Sequence, residues 1–274
     1  MENSRYKIIC SELDLFIKWG FVLSSTLSNK VTQLDRDYYG YCIFSKVLCH
    51  AISLRRIIPT GLNPEQNSQS ELWDLASACA LSRALIESFD ALFYQAIEEI
   101  EDSEREFRLY LWDLHAEERR LKKLDLIGLK APEVESLKME VESLRKKVID
   151  HKYFKELKKD HKGKINKGNS PDYYLSHKER NERASINHDY YNSCIIFLSA
   201  YVHTFPFAIK QLKEFRAGDA ESLRLMSMPI QYALGFLAKS IEGMHSIFET
   251  RLPNKPDNVS DLCEIWSGIL EKGI

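Results

Sequence analysis

The sequence predicts an all-α fold, a multi-helix bundle with a projecting antiparallel helical hairpin. Three observations carry this. Breakers are few, with eleven Gly and eight Pro in 274 residues, so there is room for long helices. Apolar residues recur at three- and four-residue spacing along most of the chain. No segment alternates with period two for long enough to make a strand. The pattern amounts to about seven to nine helices in one domain spanning 1–274.

The elements follow in order. Residues 5–28 carry Ile8, Ile9, Leu13, Phe16, Ile17 and Phe21 at helical spacing. A second helix runs from about Asp35 to Ile58, closed by Arg55, Arg56 and Pro59. Residues 59–69 read as a loop, and Ser70 as the N-cap of a long helix over 71–100. Phe107, Leu111, Leu114 and Leu121, then Val134, Leu137, Val141, Leu144 and Val148, form two narrow seams separated by Gly128 and Pro132. That is the pattern of a helical hairpin over 102–155, with charges covering its other faces. Residues 156–185 are polar and basic and read as a partly mobile loop. An apolar helix over 186–203 follows, then a short one from Pro206 to Phe215 and a long one to Thr250 interrupted by Pro229. A last helix covers 259–272.

Bulk properties narrow the function. The net charge of −2 gives the whole chain no electrostatic preference, so any nucleic-acid signal must be local. Acidic residues at the start and the lack of a long apolar run argue against a secretory signal or a membrane span. Cys10, Cys42, Cys49, Cys79, Cys194 and Cys263 are scattered with no CxxC pair, as expected of reduced thiols in a cytoplasmic protein. Metal-ligand spacing, a Gly-rich phosphate loop, HExxH and a nucleophile elbow are all missing from the sequence. No cofactor, metal or membrane is therefore expected.

Two polar stripes lie on otherwise apolar helices. At ~100° per residue, His188, Asn192, Ser199 and His203 share one face of the 186–203 helix. On the 71–100 helix Arg83 and Glu87 are four apart, with Asp90 and Tyr94 continuing the stripe. A His beside an Arg, positioned by carboxylate and hydroxyl groups, can cut RNA without metal: the His moves the proton and the Arg offsets phosphate charge. A satisfied network that fixes helix register uses the same residue types. Arg183 and His188 form a second pair in R-x4-H spacing, and Arg108-x6-His115 is a looser variant. Between Arg145 and Arg183 cations outnumber acids, with Tyr153, Phe154, Tyr173 and Tyr174 interleaved. Lys158, Lys159, Lys162, Lys164 and Lys167 are its candidate RNA contacts, against the alternative of a solvated face.

The segment YYNSCIIFLSAYVHTFPFA at 190–208, with Ser199, Val202, His203 and Pro206, resembles an LSxYVHxxP signature in a family of bacterial all-helical proteins. That family also carries Arg-x3-Glu in an earlier helix, matched by Arg83 and Glu87. The resemblance covers about 70–100 and 186–250 and omits the hairpin and the basic segment. It is similar in style to the HEPN superfamily, whose helical bundles carry R-x4-6-H and include many metal-independent RNases of stress and phage defence. The Arg183/His188 pair fits that spacing, but Ala184 stands where active members usually have a polar residue. The resemblance implies a bacterial RNase, with His203 or His188 as acid/base and Arg83 or Arg183 on the phosphate. It allows a homodimer. The competing expectation is a non-catalytic interaction protein whose 102–155 hairpin binds a protein partner.

Overall fold

The computed structural model describes residues 2–28, 35–61 and 73–273, and among them the chain is all-α with no strand. Eleven α-helices are present among the described residues: α1 (Glu2–Leu27), α2 (Asp35–Ile57), α3 (Leu75–Leu92), α4 (Asp102–Leu126), α5 (Pro132–Asp150), α6 (Lys159–Asn166), α7 (His177–Arg183), α8 (His188–Val202), α9 (Pro206–Glu214), α10 (Ala220–Phe248) and α11 (Asp257–Lys272). The count exceeds the sequence expectation because residues 156–185 contain α6 and α7 rather than a loop. Ile165 is fully buried, and Leu157 and Leu175 anchor the flanking turns. Isolated apolar residues at wide spacing leave no helical period to detect. The candidate cap Ser70 lies outside the described residues. The N-cap observed for α3 is Asp74, whose carboxylate accepts from Ser77 N at 2.9 Å.

The chain divides into two compact units, residues 1–98 with 180–274, and residues 99–179. In the first, α10 is the central helix. Leu234, Gly235, Phe236, Leu237 and Ala238 are buried in succession, so α10 is enclosed on all sides by α1, α2, α3 and α11. Two of its glycines set close approaches. A Cβ on Gly235 would lie 2.7 Å from Leu270 Cγ, and one on Gly243 would lie 2.2 Å from Ile97 Cδ1.

Gly268, in α11, has nothing within 4 Å of its would-be Cβ. Gly243→Ala is therefore expected to destabilise by about 1–3 kcal/mol through overpacking. Gly268→Ala is expected to stabilise by about 1 kcal/mol through helix propensity alone. Urea melts of the two variants check this; equal signs would remove the close-packing account of α10.

The second unit is built on the hairpin of α4 and α5. Phe107, Leu111 and Leu114 pack on Leu137, Val141 and Val148, as the two seams predict. The turn is a Schellman closure: Leu129 N donates to Leu124 O at 3.1 Å and Gly128 takes φ +67. Pro132 then opens α5 at its first turn, where its missing N–H costs nothing. No single helix among the described residues is long and apolar enough to cross a membrane.

Candidate active site

The two polar stripes meet. α3 and α8 pack side by side in the first unit, and Arg83 is the hub between them. Its Nε donates to Glu87 Oε1 at 2.9 Å, one helical turn on. Its Nη1 donates to Ser199 Oγ at 3.2 Å and lies 3.0 Å from His203 Nε2. A guanidinium can only donate, so Nε2 accepts and the imidazole proton in this arrangement sits on Nδ1. The Ser199 hydroxyl spends its own proton on Ile195 O at 2.5 Å, which leaves its lone pairs for Arg83. All four groups reach the surface: the Arg83 and Glu87 side chains are 26% and 56% exposed, His203 is exposed and Ser199 half-buried.

The backbone after His203 is strained. His203 is the C-cap of α8, and its N–H reaches Ser199 O at 2.9 Å. Thr204 takes φ +56, and Phe205 N closes back on Ala200 O at 2.9 Å. This is a Schellman closure in which a β-branched residue fills the left-handed position that glycine favours. Strain of that kind costs of order 1–3 kcal/mol and persists only where the surroundings enforce it. Pro206 then starts α9 and prevents α8 from continuing.

Deeper on the same face of α3, Asp90 is buried and accepts from Tyr191 OH at 2.6 Å. Burial pushes its carboxyl up to about 6, against the hydrogen bond from Tyr191 and the guanidinium of Arg180, 4.0 Å away. Sequence reasoning missed Tyr191 and Arg180. Tyr191 lies off the polar stripe read on the 186–203 helix, and Arg180 sits in the segment taken for a loop. Buried partners from separate segments leave no spacing to read.

The other candidates are placed differently. Arg183 reaches Glu98 at 2.8 Å, whereas His188 lies 3.0 Å from the carboxamides of both Asn181 and Asn192. The two thus meet different partners. The reason is local: Ser185, at φ +52, turns the chain between α7 and α8, and Ile186 N closes on Asn181 O at 2.8 Å. Both contacts are made by the carboxamide Nδ2 groups, which donate, and a neutral imidazole has one lone pair with which to accept. Arg108 is fully buried in the second unit against Glu104, and His115 Nδ1 faces Ser170 O at 2.7 Å.

Much of the basic segment is committed within its own unit. Lys158 pairs with Glu179 at 3.6 Å and Lys164 with Asp160 at 2.7 Å, while Lys162 Nζ donates to Lys155 O at 2.7 Å. Lys159 and Lys167 hold no such bond among the described residues. The rings of Tyr153 and Tyr174 pack against Phe107. No group of three or more His, Cys, Asp or Glu that could hold a metal occurs among the described residues.

Comparison of the chain with family models, curated proteins and solved structures finds no match. The chemistry of the Arg83 cluster therefore rests on its own geometry. One imidazole, one guanidinium, one carboxylate and one hydroxyl converge at the surface, a set suited to proton transfer beside a phosphate.

Proposed function

We propose that the protein is a HEPN-like, metal-independent ribonuclease of bacterial stress or phage defence, with its centre on Arg83 and His203. The observation that carries this is the 3.0 Å contact between the Arg83 guanidinium and His203 Nε2 at an exposed position. In the reaction, Arg83 Nη1 turns from His203 Nε2 to the phosphate, and the freed Nε2 takes the proton of a ribose 2′-hydroxyl, whose oxygen attacks the adjacent phosphorus. The P–O5′ bond breaks, the 5′ oxygen leaves with a proton from water, and a 2′,3′-cyclic phosphate remains. Arg83 offsets the charge that builds on the phosphate oxygens. Glu87 and Ser199 hold the guanidinium in place as positioning residues.

The test is cleavage of a broad RNA panel in EDTA by the wild type and by His203→Ala, shown folded by circular dichroism. The expected result is cleavage by the wild type and a loss of about 10²–10⁴-fold in the variant, the usual contribution of a general acid or base. Equal cleavage by both would remove His203 from the mechanism. No cleavage by either would leave the second reading, a non-catalytic interaction protein. The apolar, exposed turn of the 102–155 hairpin favours that second reading.

A further inference from the structure

The hairpin turn carries a feature that the packing of its own unit does not use. Leu126, Ile127 and Leu129 are 79%, 65% and 46% exposed, three apolar side chains within four positions of one tight turn. Their exposure follows from the Schellman closure at Gly128, which throws the chain outward at the end of α4. Cations surround them. The end of α4 and the turn, residues 119–130, contain Arg119, Arg120, Lys122, Lys123 and Lys130 against Asp125, with Glu133 and Glu135 following in the first turn of α5. Arg120 is paired with Glu117, but Arg119, Lys122, Lys123 and Lys130 hold no hydrogen bond or ion pair among the described residues.

We infer that the hairpin tip docks on an anionic membrane surface, with Leu126, Ile127 and Leu129 entering the acyl boundary and the free cations meeting the lipid phosphates. The geometry fits a layered surface. Arg119 and Lys122 lie about one to two turns behind Leu126, roughly 6–10 Å along α4 at ~1.5 Å per residue. Apolar groups of interfacial elements enter ~5–10 Å past the headgroups, so these cations reach phosphate level when the tip is seated, their stems lying along the helix. Charge complementarity selects the lipid: cations beside an anionic leaflet each add to binding, which a zwitterionic leaflet does not reward. This contact is peripheral, and it is independent of the cleavage reading.

The test is co-sedimentation of the full chain with phosphatidylcholine vesicles, with and without phosphatidylserine. Binding to the anionic vesicles is expected to be at least about tenfold stronger and to fall with salt. The triple variant Leu126→Ser, Ile127→Ser, Leu129→Ser removes only exposed groups, so its fold is retained and its binding is expected to drop at least about tenfold. Lys122→Glu, Lys123→Glu, Lys130→Glu is expected to abolish binding. In a separate variant, Leu126→Trp, fluorescence is expected to be quenched by lipids brominated on the acyl chains. No preference for anionic vesicles, unchanged binding by the serine variant, or an unquenched tryptophan at position 126 would each overturn insertion. Self-association of the wild type that the serine variant abolishes, without vesicle binding, would instead make the tip an interface between copies.

Discussion

Arg108→Ala is expected to destabilise the 99–179 unit by roughly 3–5 kcal/mol, the usual cost of stripping one partner from a buried ion pair. The Arg108 side chain is 0% exposed, and its Nη2 and Nε reach Glu104 Oε1 at 2.6 and 3.1 Å. Its guanidinium carbon also lies 5.8 Å from the centre of the Tyr174 ring, and the Tyr174 hydroxyl donates to the same carboxylate. Burial together with this bond holds the Tyr174 phenol well above its usual range, so the hydroxyl keeps its proton. Removing the guanidinium takes the Arg108 charge from Glu104, only 14% exposed, and leaves a cavity beneath Tyr174. Native-state hydrogen exchange is the measurement. Protection is expected to fall across α4, α5 and α6 and to persist in α10, because the first unit has its own core. An equal loss in α10 would mean that the two units unfold as one. A change below about 1 kcal/mol would remove the pair from the account of this unit's stability.

The fold was legible where the chain speaks through periodicity. The seams of Phe107–Leu111–Leu114 and Val134–Leu137–Val141 specify the hairpin, and Gly128 and Pro132 specify its turn, because both signals lie within a few residues of their effect. The extent of the second unit was not legible: that residues 156–179 belong with the hairpin depends on single contacts such as that of Ile165, which leave no period to read. Of the candidate site, the same-face grouping of Arg83 with Glu87 and of Ser199 with His203 could be read from helical geometry. Their meeting could not, since it depends on how α3 and α8 are set against each other. Where spacing was read without the backbone between, it misled: Arg183 and His188 are five apart in sequence, yet the left-handed turn at Ser185 sends them to Glu98 and to Asn181 and Asn192.

Arg83→Lys separates the two meanings of the surface cluster most directly. Arginine serves three acceptors from two nitrogens in a fixed plane, Glu87 from Nε and Ser199 and His203 from Nη1. Lysine keeps the charge but presents it as a point on a flexible stem, so it cannot hold that geometry. If the cluster stabilises a phosphate in the transition state, RNA cleavage is expected to fall by about 10²–10³-fold although the charge is preserved. Stability is expected to change by less than about 1 kcal/mol, since the Arg83–Glu87 pair lies at the surface and exposed pairs contribute little. A structural lock predicts the opposite: a clear drop in the urea midpoint. Cleavage rate and melting of one variant thus divide the alternatives. Retention of cleavage within a few-fold of wild type would leave His203 acting without Arg83, and a loss of stability of about 3 kcal/mol or more would place the cluster among the buried-pair type of contact that Arg108 represents.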